Sequence, residues 1–180
     1  MRFFRLGFPQ SPRILLVESG SRRLLEGVIP YLRGHFGSQA PLELLTCYAG
    51  KPAGLGEGSA VYQTHHHQGR KARKRLYRTL AENGVGVLVI LCSAEPIMTK
   101  WKWALALNLP ARVLVVNENG DAFWLDRTNW KTILHFVLFR AGLTGGDAVR
   151  TLTQALLFPL TLLYLLVYAG AIHLRRKVRV

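Results

Sequence analysis

The chain has 180 residues and a formal net charge of +14, from 24 Lys and Arg against 10 Asp and Glu, a balance that suits nucleic acid, anionic lipid or a phosphate-rich ligand. Setting aside the last thirty or so residues leaves about 150, the size of one ordinary domain with its own core. Cys47 and Cys92 fall at the ends of predicted strands among apolar neighbours, so they read as reduced, buried thiols with no metal-ligand spacing.

Met1–Arg13 carries early arginines but no apolar run long enough for a secretory leader before Pro9 and Pro12. Arg13–Val17 (RILLV) reads as a buried strand, closed by Glu18-Ser19-Gly20-Ser21. A helix follows from Ser21, with Leu24, Leu25, Val28, Ile29 and Leu32 on one face and Arg22, Arg23, Glu26 and Arg33 opposite. Pro30 is expected to kink it or to restart its last turn. Leu42–Cys47 is a second strand, Tyr48–Ser59 a Gly- and Pro-rich loop, and Ala60–Thr64 a short third strand. Beyond His65–His67, Arg70–Asn83 reads as a basic helix with Leu76, Tyr77 and Leu80 inward, stopped by Asn83-Gly84.

Val85–Leu91 (VGVLVIL) is continuous and β-branched, the signature of a strand buried on both faces in a parallel sheet. Cys92–Pro96 is the turn into a helix over Ile97–Leu107, with Pro96 near its first position. Arg112–Val116 is the next strand, Asn117–Asp121 its loop, and Ala122–Leu125 a short additional strand. Trp130–Gly142 is too apolar for a solvated helix and too short to span a bilayer, so it is expected to lie at an interface or against the sheet.

Leu152–Ile172 contains no Asp, Glu, Lys, Arg or His. As a helix it would reach about 32 Å at ~1.5 Å per residue, close to the ~30 Å of a hydrocarbon core. Arg175, Arg176, Lys177 and Arg179 follow at once. Pro159 leaves two forms open, a single kinked span and a re-entrant pair. Four segments result: an α/β domain over 1–127, a connecting amphipathic or interfacial helix over 128–150, a membrane anchor over 151–174, and a basic tail over 175–180.

This order of elements is that of an α/β fold with an open, mostly parallel sheet, helices on both faces, and a carboxy-terminal membrane helix. In such sheets ligands bind outside the carboxyl ends of the strands. The loops there hold Glu18, Glu95, Glu118 and Asp121, a concentration of acids in a chain with few, and these are the candidate catalytic or sugar-contacting groups. Ser19, Gly20 and Ser21 stand where a phosphate loop would meet a helix start, although three-glycine and Walker patterns are absent and Glu18 opposes a direct phosphate contact. Glu18, Ser21, Ser93 and Glu95 also stand where ordinary helix caps would. His65 and Arg70 are candidate phosphate contacts, and Ser93, Asn117 and Asn119 candidate hydrogen-bonding groups for a substrate. Three consecutive histidines on a strand alternate sides, and no further ligand spacing completes a metal set, so neither metal nor cofactor is expected. In Lys100-Trp101-Lys102-Trp103 the two tryptophans lie about 200° apart on a helix, so one can be core while the other is at the rim. The plain reading is packing with both lysines solvated, and the sharper one makes Lys100 a candidate substrate-binding group beside an exposed Trp that contacts sugar, base or the membrane interface.

RILLVESGSRRLLEGVIPYLRGHFG, LLTCYAGKP and VLVILCSAEPIMTKWKWALALNLPARVLVVNENGDAFWLD together resemble, in architecture and over about residues 12–126, one Rossmann-like half of a GT-B type glycosyltransferase or of an accessory subunit of one. The resemblance implies a nucleotide sugar as ligand and a partner protein to supply the second half. The expectation is therefore a membrane-anchored glycosyltransferase component in polysaccharide or glycolipid assembly. The alternative is a non-enzymatic scaffold that recruits a soluble partner to the bilayer. Anionic lipid is the expected surface. Nucleic acid ranks lower, because no binding motif or regular aromatic platform is present. Thiols read as reduced and the missing leader place the α/β domain on the cytoplasmic side of the cell membrane.

Overall fold

A computed structural model describes residues 12–93, 95–143 and 146–178. Most of the amino-terminal stretch read for a leader, and Arg179 of the basic tail, lie outside the described residues. The chain forms two compact units, Met1–Trp130 and Lys131–Val180.

The first unit is a six-stranded sheet: β1 (Arg13–Val17), β2 (Leu42–Thr46), β3 (Val61–Gln63), β4 (Val85–Cys92), β5 (Arg112–Asn117) and β6 (Ala122–Trp124). Their order is β3-β2-β1-β4-β5-β6. All neighbours are parallel except β5 and β6, which form a hairpin. Between β1 and β4 the strand order reverses, and this is the topological switch point.

The helices are α1 (Arg22–Phe36), α2 (Arg70–Glu82) and α3 (Thr99–Asn108). The right-handed crossover rule puts α1, on the path from β1 to β2, on one face, and α2 and α3, on paths in the other direction, on the opposite face. Leu25, Val28, Ile29 and Leu32 of α1 accordingly share one cluster with Ile14, Leu16, Leu44, Val89 and Leu114. Against the other face α2 and α3 both meet β4, burying Leu76, Leu80, Leu105 and Leu109. All eight residues of β4 are buried, as expected of a central parallel strand.

Several expectations need correction. Pro30 lies inside α1, which runs on through it to Phe36 and does not restart there, and its ring is exposed. The third helix begins at Thr99, not Ile97, because Met98 takes a left-handed backbone with φ of 51° and Pro96 lies three residues before the first turn. His65–His67 belong to a short 3-10 turn, Thr64–His67. Cys47 is exposed just beyond the end of β2, where a buried thiol was expected, while Cys92 is buried; both are free. Lys102, read as solvated, is buried on the sheet side of α3.

The second unit contains α4 (Trp130–Arg140, starting at the boundary) and α5 (Gly146–Val178). α4 buries no residue and exposes Trp130, Leu134, Val137 and Phe139. α5 is one continuous helix through Pro159. Its stretch Thr153–His173, 21 residues with mean hydropathy 2.1, is long and apolar enough to cross a membrane, and none of it is buried within the protein.

Candidate functional site

At the carboxyl edge of the sheet, a cleft of about 650 Å³ opens between α1 and the β5–β6 hairpin. Leu24, Gly27, Val28, Val116 and Ala122 form its apolar part, and Ser21, Arg23, Tyr31, Ser93, Glu95 and Glu118 its polar part. Its position follows from the topology. The loop after β4 carries Ser93 and Glu95, the loop after β5 carries Glu118, and both end beside the first turns of α1. The structure thus brings together Ser21, Ser93, Glu95 and Glu118 from the predicted residues. Glu95 and Glu118 are exposed at the edge of the cleft.

Glu18 is placed differently. Its side chain is fully buried and receives Arg22 Nε at 2.7 Å, Arg22 Nη2 at 3.3 Å and the Thr46 hydroxyl at 2.5 Å. Arg22 Nη1 continues to the Ala49 carbonyl at 2.9 Å, and the guanidinium lies 5.8 Å from the Tyr48 ring centroid. The hydrogen bond from Arg22 to the Glu18 carboxylate holds the guanidinium pKa above its ordinary value. Thr46 Oγ1 also accepts the Tyr48 amide at 2.9 Å. Glu18 is therefore a tie between the ends of β1 and β2, and its oxygens are occupied by protein donors.

Ser19 and Gly20 are internal as well. Ser19 Oγ donates to the Leu91 carbonyl at 2.7 Å, which joins β1 to β4 across the switch point. Lys102 Nζ donates to the same carbonyl at 3.2 Å. Gly20 is required by space and not by backbone angle: a Cβ there would lie 2.7 Å from Ser93 Oγ. Ser93 Oγ is buried and makes no hydrogen bond among the described residues. Ser21 and Ser93, from the loops that follow β1 and β4, line the cleft together with Val116 of β5 and Glu118 of its loop.

Asn117 and Asp121 close the β5–β6 turn. Asn117 Oδ1 accepts the amides of Asn119 at 3.0 Å and Asp121 at 2.8 Å, and its Nδ2 donates to Asp121 Oδ2 at 2.9 Å. This side-chain mimicry of a turn accounts for the Asn and Asp spacing without a ligand. Asn119 and Asp121 are exposed.

His65 and Arg70 are not part of the cleft. They follow β3, four strand spacings or about 19 Å from β5. His65 lies against His66 with ring centroids 4.0 Å apart, and Arg70 lines a separate shallow depression with Gln68, Lys71 and Arg75. Lys100 is exposed on α3; Trp101 packs edge-on to Tyr77 at 6.5 Å, and Trp103 is exposed. Among the described residues no group of His, Cys, Asp and Glu is arranged to hold a metal ion.

Arg23, Tyr31 and Lys102 were missed from sequence. Lys102 was legible: it precedes the buried Leu105 and Ala106 by three and four residues, which puts it on the same helical face. Arg23 and Tyr31 carry no such signal, since they border a cleft created by the neighbouring hairpin. No family model, curated protein or solved structure matches the chain.

Proposed function

We propose that the chain is a membrane-anchored glycosyltransferase component in polysaccharide or glycolipid assembly, and that the cleft beside the switch point takes the sugar part of a nucleotide sugar. The observation that carries this reading is the convergence of Glu95 and Glu118 on a cleft that also presents the apolar Leu24, Val28, Val116 and Ala122. Carboxylates accept hydrogen bonds from vicinal hydroxyls, and Leu24, Val28, Val116 and Ala122 suit the C–H face of a ring. Arg23 supplies a cation for phosphate at the start of α1. One of the two carboxylates would act as the base toward an acceptor hydroxyl.

The test is titration of the detergent-solubilised full chain with common nucleotide sugars, with and without co-purifying proteins. The expected result is saturable binding that Glu95→Gln and Glu118→Gln each weaken about tenfold or more, the usual worth of a charge-assisted hydrogen bond. Absence of binding to every nucleotide sugar, with partners present, overturns the proposal.

The exposed apolar residues of α4 favour a second reading, a scaffold that recruits a soluble partner to the bilayer. On that reading Glu95→Gln and Glu118→Gln leave function intact, while removal of the segment after Arg150 abolishes it. The α/β unit is placed on the cytoplasmic side in both readings.

A further inference from the structure

α2 carries Arg70, Lys71, Arg73, Lys74, Arg75 and Arg78, all exposed, and a single acid, Glu82. With about 100° between successive residues, five of the six (all but Arg73) fall on an arc of about 140° directly opposite the buried Leu76 and Leu80. Among the described residues none of the six pairs with a carboxylate.

This helix is built against its own stability. Its N-cap is Gly69, which offers no side-chain cap, and its first turn holds cations and no acid, the wrong sign for the helix dipole. The pairs Arg70–Lys74, Lys71–Arg75 and Lys74–Arg78 set like charges four residues apart, where they repel. A surface that breaks local rules in one direction, with no internal compensation, is explained by an external anion.

We propose that this face of α2 is a docking surface for the anionic headgroups of the bilayer that holds α5. The inference rests on α5 being in a membrane. Given that anchor, the α/β unit is tethered within reach of a charged leaflet, and a weak electrostatic contact becomes effectively intramolecular. Nucleic acid is the less suitable occupant. The ring on α2, Tyr77, is turned inward against Trp101, so the basic arc offers no stacking platform of its own. A docked α2 would hold the sheet's carboxyl-edge cleft at a set height over a lipid-linked substrate, instead of leaving that height to the tether.

The experiment uses the full chain with Cys47→Ser and Glu82→Cys, a donor fluorophore at position 82, and headgroup-labelled acceptor lipid. Cys92 is buried and stays unlabelled. The protein is reconstituted in vesicles of phosphatidylcholine alone or of phosphatidylcholine with phosphatidylglycerol. Energy transfer is expected to rise with phosphatidylglycerol and to fall again in high salt. The exposed triple variant Lys71→Gln, Lys74→Gln, Arg75→Gln is expected to lower the docked-to-undocked ratio about a hundredfold, at roughly fivefold per charge near the surface. Equal transfer in both vesicles, or a triple variant indistinguishable from its parent, overturns the proposal. Tighter binding of the solubilised chain to a single-stranded oligonucleotide than to phosphatidylglycerol micelles also overturns it, in favour of nucleic acid. A chain that floats with neither vesicle removes the anchor on which the docking rests. None of these outcomes depends on nucleotide-sugar binding, so failure of the cleft reading is separately visible.

Discussion

Replacing Glu18 with alanine is expected to destabilise the α/β unit by about 3 kcal/mol, and the ranking of neighbouring variants tests why. The carboxylate is wholly buried and takes three donors, two from Arg22 and one from Thr46. In Glu18→Ala the Arg22 guanidinium, about one-third exposed, turns to solvent at small cost, but the buried Thr46 hydroxyl loses its acceptor and a cavity remains. Glu18→Gln keeps the volume and part of the hydrogen bonding, so about 1–2 kcal/mol is expected. Arg22→Ala is expected to be the worst, about 4 kcal/mol, because it strands a buried charge on one hydroxyl. The double variant Glu18→Ala, Arg22→Ala should then be more stable than Arg22→Ala alone, since removing the carboxylate relieves that stranded charge. Urea unfolding in detergent, followed by tryptophan fluorescence, reads the right unit, because the four tryptophans all lie between positions 101 and 130. Midpoints for Glu18→Ala and Arg22→Ala that coincide with the parent would refute the reasoning and return Glu18 to the list of groups free to act on a ligand.

Gly20→Ala should cost about 1–3 kcal/mol through overpacking against Ser93, and a second change, Ser93→Gly, should recover most of it; a neutral single variant would show that Ser93 rotates away freely. Desolvation, followed by the nearby His66, holds the His67 pKa below its ordinary value of 6.5. The unfolded chain therefore takes up the proton first, so the stability from keeping His67 neutral is complete above about pH 6.5 and is lost as pH falls through the folded value. Unfolding midpoints across that window should slope less in His67→Gln than in the parent, and identical slopes would discount His67 as the source. For topology, Val180→Cys in a Cys47→Ser, Cys92→Ser background should react with an impermeant reagent from outside if α5 spans. Labelling only after permeabilisation would mark a re-entrant anchor. External accessibility of the α/β unit with a protected tail would overturn the cytoplasmic assignment.

The elements of this fold are written locally, and that is why they could be read. A run such as VGVLVIL has one sterically sensible fate, and the 3.6-residue spacing of Leu25, Val28, Ile29 and Leu32 has another. Leu152–Ile172 needed only composition and length. The carboxyl-edge loops followed from chain order alone, through the handedness of parallel crossovers, and four of the predicted residues do share one cleft. What chain order does not contain is how far apart those loops are across the sheet, or which polar groups protein partners consume. The order β3-β2-β1-β4-β5-β6 separates His65 and Arg70 from Glu95 and Glu118, although all follow parallel strands. Whether an acid is a tie or a free group depends on donors far away in sequence: Glu18 meets Thr46, 28 residues on, and Ser19 meets Leu91, 72 residues on. A carboxylate's chemistry is set by burial and by the donors that reach it, and both are properties of the assembled sheet.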